Sequence, residues 1–141
     1  MAEFTSATTQ TVEPNQNILF TETSVKGCPS IVHREGSGLI TLRGLSRTQC
    51  RARFRADFSA NIAIAAGGAT SPISVAFALD GEPVNSTVMI VTPADVGQFF
   101  NVSAAIYIDV PVDDSTQLSV ESTSPAAISV ANPNIIVERV A

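Results

Sequence analysis

Large apolar residues alternate with small or polar residues along several stretches of the chain. From Ile73 to Leu79 the large side chains fall at every second position, and the same pattern runs from Cys50 to Ala60, where several intervening positions are charged. A period of two places one set of side chains on each face of a β-strand. We therefore predict two amphipathic strands, the second of which directs these residues toward a core: Cys50, Ala52, Phe54, Ala56 and Phe58.

Turn signals divide the rest of the chain into further short strands. Asp80-Gly81 is the strongest of them, because glycine takes positive φ freely and aspartate takes it more readily than most residues. Strand-like segments with Gly, Pro or Asp turns between them recur without any helical periodicity, at residues 17–25, 31–34, 39–43, 88–91, 99–110, 116–123, 127–130 and 135–140. This spacing predicts an all-β antiparallel sandwich or barrel.

The first part of the chain differs from the rest in composition. Residues 1–15 are polar, rich in Thr, Glu and Gln, and contain Pro14 near their end. Such a segment buries little apolar surface, so we predict a flexible or extended N-terminal arm that orders only against a neighbouring subunit. A disordered tail is the alternative. Residues 16–141 are predicted to form one β-domain.

Composition restricts the classes of partner. The chain of 141 residues is 45% hydrophobic but only 15% charged, below the usual quarter of a soluble domain. We infer that part of its surface meets protein, and an obligate oligomer is the simplest such arrangement. The net charge of −5 argues against binding to nucleic acid or to an anionic membrane. No apolar run is long enough to span a membrane, and the polar opening residues do not read as a signal peptide.

The residues that could carry chemistry are few. Cys28 and Cys50 form neither a zinc pattern nor a disulfide framework, so we predict buried thiols, with a disulfide as the alternative. The single histidine, His33, makes a His-based metal site very unfavourable, and beside Arg34 and Glu35 it is more typical of a turn or an interface than of acid–base catalysis. We predict no catalytic residue, cofactor or metal.

Three arginines form the most distinctive feature of the second amphipathic strand. Arg51, Arg53 and Arg55 share its polar face, about 7 Å apart by strand geometry. Adjacent guanidinium groups repel one another unless acidic partners lie opposite. These arginines are therefore candidate partner-binding residues. The alternative is a solvated face with local pairs from Asp57, Glu82 or Asp109.

Several segments resemble the compact trimeric jelly rolls of the tumour-necrosis-factor and complement C1q type. The resemblance runs from about Asn15 to the end of the chain and is carried by NQNILFTET, HREGSG, LITLRG, SVAFALDGEP, TPADVGQFFNVSAAIYIDVP and NIIVERVA. The blocks VHREGSG, CRARF and LDGEP are similar to those of a group of short phage or prophage-encoded proteins. The resemblance implies a TNF/C1q-like jelly roll of two packed sheets that forms a homotrimer. A collagen-like Gly-X-Y stalk is absent from this sequence, which argues against a stalk-borne role.

A trimer would also give a role to the aromatic residues of the strand predicted at residues 99–110. Neighbouring residues on a strand point to opposite faces, so if Phe99 faces the core, Phe100 faces away from it. In the implied trimer the second face lies against a neighbour. Phe100 and Tyr107 are thus candidate trimer-interface residues, with an ordinary sandwich core as the alternative.

The resemblance favours a non-enzymatic structural protein of a phage virion. It implies a trimeric capsid decoration or head-associated protein on the exterior of the phage head, made in the host cytoplasm and bound to the major capsid protein or another virion protein. The alternative is a receptor- or carbohydrate-binding tip module of a tail fibre or bacterial surface protein. An enzyme is disfavoured, because no nucleophile or carboxylate pair with suitable spacing is evident.

Overall fold

The computed structural model describes residues 1–45 and 50–141, and the regular secondary structure of these residues is almost entirely β-strand. Six strands form the first antiparallel sheet, in the order β10-β6-β12-β1-β3, with β2 pairing a second part of β12. The bounds of these strands are Ala2–Thr5 (β1), Gln10–Val12 (β2), Glu22–Val25 (β3), Arg51–Ile64 (β6), Phe100–Pro111 (β10) and Ile128–Arg139 (β12).

The second sheet also has six strands, in the order β4-β5-β11-β7-β8, with β9 pairing another part of β7. Its strands are Ile31–His33 (β4), Ile40–Arg43 (β5), Ile73–Leu79 (β7), Glu82–Pro83 (β8), Met89–Val91 (β9) and Ser115–Ser122 (β11). A single 3-10 turn, Asn85–Thr87, links β8 to β9. The predicted antiparallel two-sheet sandwich is confirmed.

The core lies between the two sheets and is centred on three phenylalanine rings. Phe58 of β6 meets Phe77 of β7 across the sandwich, with ring centroids 6.3 Å apart, and meets Phe20 of a connecting segment at 6.4 Å. Both contacts are edge-to-face, the geometry that aromatic pairs prefer. The alternation predicted for β6 is confirmed from Ala52 onward, because Ala52, Phe54, Ala56 and Phe58 are all buried.

The predicted turn at Asp80-Gly81 is also confirmed. Both residues have positive φ, 52° and 86°, and the hairpin pairs Leu79 with Glu82. Two successive residues in the left-handed region match the right-handed twist of the flanking strands. The Asp80 carboxylate accepts a hydrogen bond at 2.9 Å from the backbone N–H of Gln117, which ties the turn to β11.

Residues 1–15 differ from the predicted arm. They contain β1 and β2, which pair with β12, and their apolar residues Ala2, Phe4 and Val12 are buried in the core. The accessible surface of the chain, 7054 Å², agrees with the value of about 6,900 Å² expected for a folded monomer of this mass. The segment is extended, as predicted, but it completes the first sheet of its own subunit.

Both cysteines lie elsewhere than predicted. Cys28 is in the connection between β3 and β4, and Cys50 immediately precedes β6, so the period of two does not extend to it. Both side chains are exposed free thiols, and the prediction of buried thiols is wrong. The alternative of a disulfide between them is also wrong.

Candidate functional site

The three arginines lie on the outer face of the first sheet, where acidic residues neutralise them. Arg53 donates two hydrogen bonds to the Asp109 carboxylate of β10, at 2.7 and 3.1 Å, and Arg51 approaches the same carboxylate at 3.4 Å. Arg55 pairs with Asp57 at 3.2 Å. The local pairs therefore form with Asp57 and Asp109. Glu82, the third acid considered, lies on β8 of the other sheet.

The Arg53–Asp109 pair is the strongest interaction on this face. The hydrogen bonds from Arg53 hold the pKa of Asp109 below its ordinary value, and the positive charges of Arg53 and Arg51 act in the same direction. The hydrogen bond with Asp109 correspondingly raises the pKa of Arg53. Because both groups are solvated, we assign the pair an ordering role on the surface and little net stability.

Tyr107 projects from β10 on the same outer face and is two-thirds exposed (66%). The strand register places it beside Arg55, which is flanked on its other side by Glu138 of β12. We call the outward residues of β6, β10 and β12 the charged face. Its members are Arg51, Arg53, Arg55, Asp57, Tyr107, Asp109, Ile136 and Glu138. The three arginines and three carboxylates among them are equal in number. A large aromatic side chain is thus held in the open among paired charges.

A hollow adjoins Tyr107 on the charged face. Its volume is about 330 Å³, and small side chains form it where β6, β10 and β12 run side by side: Ser59, Ser103 and Ala105. Ile136 and Asn134 of β12 border it. One surface of a single subunit therefore carries a projecting ring and a depression side by side.

Phe100 does not share this face with Tyr107. The two are seven residues apart on one strand, an odd separation that directs them to opposite faces. Phe100 pairs with Ile62 and follows the same direction as the buried Val102 and Ile108, although it is 38% exposed at the strand's end. Of the two candidate interface residues, only Tyr107 belongs to the charged face.

His33 takes part in packing and in a backbone hydrogen bond. Its ring lies 4.4 Å from the ring of Phe4 and 6.3 Å from that of Phe20, and its Nε2–H donates to the Ser37 carbonyl at 2.9 Å. Its Nδ1 is buried without a hydrogen-bond partner among the described residues. The turn environment predicted for this histidine agrees with these contacts. The neighbouring Arg34 and Glu35 are exposed.

The structure brings Cys28 and His33 to one cavity of about 680 Å³ between the β3 and β4 edges of the two sheets. Sequence reasoning found no spacing that placed them together. No hydrogen bond joins the thiol to the imidazole within the described parts of the chain, and the Nε2–H is held by Ser37. The cavity therefore lacks the nucleophile–base contact on which thiol catalysis depends.

Comparison with solved structures places this two-sheet arrangement among known folds. The globular domain of a zebrafish complement 1qA protein superposes with a TM-score of 0.62, at 10% identity, over 96% of this chain and 94% of that one. Murine APRIL superposes with a TM-score of 0.56, at 7% identity, over 95% and 97% of the two chains. The fold is a C1q/TNF-like jelly roll. No protein-family model and no curated protein sequence matches the chain.

The likeness covers nearly the whole of this chain. It confirms the fold that the sequence blocks implied. Among residues 1–45 and 50–141, no group of three or more His, Cys, Asp or Glu side chains is placed to hold a metal ion. No helix within these ranges is long and apolar enough to cross a membrane.

Glu121 is an acidic side chain that sequence reasoning missed. It lies on the outer side of the jelly roll's second sheet, where β11 pairs it with Ala76 of β7, and only 8% of it is exposed. No salt bridge joins it to another described residue. Burial raises the pKa of its carboxyl above the ordinary value of 4.5. The only sequence signal is an acid between two strand residues, Val120 and Ser122, that face the core.

Replacing Glu121 by glutamine is expected to stabilise the protein at neutral pH. The raised pKa means that the folded chain favours the protonated carboxyl. The stability that the protonated Glu121 carboxyl contributes is complete below about pH 4.5. It is lost as the pH rises through the higher pKa that this carboxyl has in the folded chain. Urea unfolding of Glu121→Gln and wild type should therefore agree near pH 4 and diverge toward pH 7, with the variant more stable.

The matched control is Glu82→Gln, because Glu82 is an exposed carboxylate on β8 of the same sheet. Its unfolding free energy should follow that of the wild type at both pH values. A Glu121→Gln variant that is less stable than wild type at pH 7 would show that the charged carboxylate has a stabilising partner.

Proposed function

We propose that this chain is a non-enzymatic structural protein that assembles as a homotrimer through the charged face and decorates the exterior of a phage head. The observation that carries the proposal is Tyr107, two-thirds exposed beside a hollow on a face whose charges are already balanced. The partner on the head is the major capsid protein or another virion protein, and the chain reaches it from the host cytoplasm.

The charged face fits a neighbouring copy of the same chain. An exposed aromatic side chain gains most when it fills a desolvated pocket, and interface centres are enriched in tyrosine and arginine. Tyr107 of one subunit in the hollow of the next, beside Ser103 and Ala105, forms a head-to-tail contact that uses two different patches. Such contacts generate a ring when the rotation between subunits closes on itself, as a three-fold rotation does, whereas a two-fold dimer places one patch against itself.

The balance of charge supports the same arrangement. The Arg53–Asp109 and Arg55–Asp57 pairs form within each subunit and can enter an interface as pairs, and the arginines and carboxylates of the charged face are equal in number. The low charge content of the whole chain, 15%, agrees with a surface that meets protein. The likeness to C1q/TNF-like jelly rolls also supports a trimer.

The virion role rests on the VHREGSG, CRARF and LDGEP blocks, which resemble short phage-encoded proteins. Two of these blocks lie in structural positions that the fold explains: CRARF supplies the charged face, and LDGEP is the β7–β8 hairpin. A small trimeric jelly roll offers three identical contacts to a symmetric shell. The second candidate is a receptor- or carbohydrate-binding tip module, which uses the same trimer to present ligand sites.

Tyr107→Asp is expected to dissociate the trimer. The substitution removes the projecting ring and adds a fourth carboxylate to a face whose charges were equal. Light scattering should give a mass near three times 14.7 kDa for the wild type and near 14.7 kDa for the variant. Cosedimentation with purified phage shells should show binding by the wild type and a large loss for the monomeric variant.

Ile90→Asp is the matched control. Ile90 is as exposed as Tyr107, at 65%, but lies on the outer side of the second sheet. This variant should remain trimeric and bind shells. A wild-type monomer would contradict the assembly, and a wild-type trimer that ignores shells would favour the tip module.

A further inference from the structure

A second surface of the molecule, which shares no residue with the charged face, has the form of a ligand groove. It lies between β2, the segment that leads into Phe20, and the loop before β5, with a volume of about 520 Å³. We call it the amide groove. Its polar side chains, exposed except for the half-buried Asn17, come from two neighbouring segments and its apolar walls from two leucines: Thr11, Asn15, Gln16, Asn17, Leu19 and Leu39.

The first wall of the groove is held rigidly by a side-chain amide. Gln10 Nε2–H donates to the Leu19 carbonyl at 2.9 Å, and the Leu19 N–H donates to Gln10 Oε1 at 2.9 Å. The amide thus occupies the place of a peptide group from a neighbouring strand. Ile18 N–H donates to the Val120 carbonyl at 2.8 Å and fixes the same segment to β11.

The second wall is held by Ser37. Its carbonyl accepts from Phe20 N–H at 3.2 Å and from His33 Nε2–H, and its hydroxyl accepts from Leu39 N–H at 3.0 Å. A Cβ at Gly38 would lie 2.7 Å from the Cβ of Asn17, so only glycine lets the two walls approach this closely. The groove is therefore formed before any ligand binds, which lowers the entropic cost of binding.

The lining of the groove selects the chemistry of its ligand. All of the described residues that line it are uncharged, although the chain carries 13 acidic residues. Asn and Gln amides donate and accept together, as sugar hydroxyls require. Leu19 and Leu39 are 44% and 43% exposed and offer aliphatic surface to the C–H face of a sugar ring.

An extended peptide fits the groove less well. Strand addition requires free backbone N–H and C=O groups along an edge. Here Leu19 uses both of its backbone groups on Gln10, and Asn15 N–H and Ile18 N–H donate to β11 carbonyls. Along residues 15–19 the groups left for a ligand are therefore side-chain amides, and Thr11 of β2 adds a hydroxyl. We propose that the amide groove binds a neutral oligosaccharide, a role that depends on neither the trimer nor the capsid partner.

Side-chain NMR of the full chain tests this proposal with defined probes. The probes are malto-, cello-, xylo- and chito-oligosaccharides, with polygalacturonate as a charged comparison and a neutral Gly-Ser peptide as a peptide comparison. At least one neutral sugar should produce saturable shifts of the Gln16 and Asn17 side-chain NH₂ signals. Absence of saturable shifts with all four sugars, or equal shifts with polygalacturonate or the peptide, would overturn the assignment.

The paired substitution Gln16→Ala/Asn17→Ala provides the second arm. Loss of two amide contacts should weaken sugar binding about tenfold or more. Asn85→Ala, an exposed amide at the 3-10 turn outside the groove, should bind as wild type. Equal affinity of the paired variant and wild type would contradict the proposal, provided their thermal unfolding agrees.

Mass measurement separates this inference from the proposed function. The paired variant should have the same oligomeric mass in solution as the wild type, because neither substituted residue belongs to the charged face. A monomer that binds sugar would refute only the trimeric assembly. A trimer that binds shells but no sugar would refute only the groove.

Discussion

Phe58→Ala is expected to lower the free energy of unfolding by about 3–5 kcal/mol. Phe58 is 2% exposed, and its edge-to-face contacts with Phe20 and Phe77 connect the first sheet, a connecting segment and the second sheet. The vacated space is walled by strands of two sheets, which cannot move together without breaking their ladders. Because domains are stable by only about 5–15 kcal/mol, the variant loses a large share of its stability.

Urea unfolding followed by far-UV circular dichroism measures this loss. Phe99→Ala serves as the matched control, because Phe99 is 45% exposed and its truncation should change stability by less than about 0.5 kcal/mol. A Phe58→Ala midpoint close to that of Phe99→Ala would contradict the central position assigned to this ring.

Deletion of residues 1–12 is expected to abolish cooperative unfolding of the domain. The deletion removes β1 and β2, leaves β3 without its partner, and exposes one edge of β12 along its length. It also removes the buried side chains of Ala2, Phe4 and Val12. Phe4→Ala alone should cost about 3–5 kcal/mol, so the full deletion exceeds what a marginally stable domain tolerates.

The same protein offers a control for this deletion. Replacing the exposed residues 7–9 by Gly-Ser-Gly changes the connection between β1 and β2 but leaves both strands in place. That variant should unfold cooperatively near the wild-type midpoint. If the truncated chain had wild-type stability, the result would instead support the flexible N-terminal arm that the composition predicted.

The fold was predictable where the local pattern was long and regular. The β6 stretch alternates over enough residues for its period to be unmistakable, and Asp80-Gly81 encodes a turn by backbone preference alone. The N-terminal strands were missed because each holds only one or two apolar residues among Thr, Glu and Gln. Pairing with β12, distant in sequence, makes them strands, and a local pattern contains no information about that partner.

The candidate site was predictable only in part. Alternation identified the face of Arg51, Arg53 and Arg55, but their pairing with Asp109 depends on the register between two strands that the whole sandwich sets. Phe100 and Tyr107 are seven positions apart on β10, so they point to opposite faces of the strand. Counting residues in the sequence was enough to exclude Phe100 from the face of Tyr107. The sequence marked Glu121 only as an acid between two core-facing strand residues, and its burial comes from neighbouring strands and not from its own segment.

The position of β12 has a consequence for the order in which the molecule can fold. This strand lies between β6 and β1, so its pairs join residues about as far apart as Ala2 and Val137. Until Ile128–Arg139 has been synthesised, β1 has no place in the first sheet and β6 keeps an open edge. Long-range pairings of this kind fold slowly, because loop closure is required before contacts form. A nascent chain therefore presents an unpaired strand edge during synthesis, the period when its capture by another chain is most favourable.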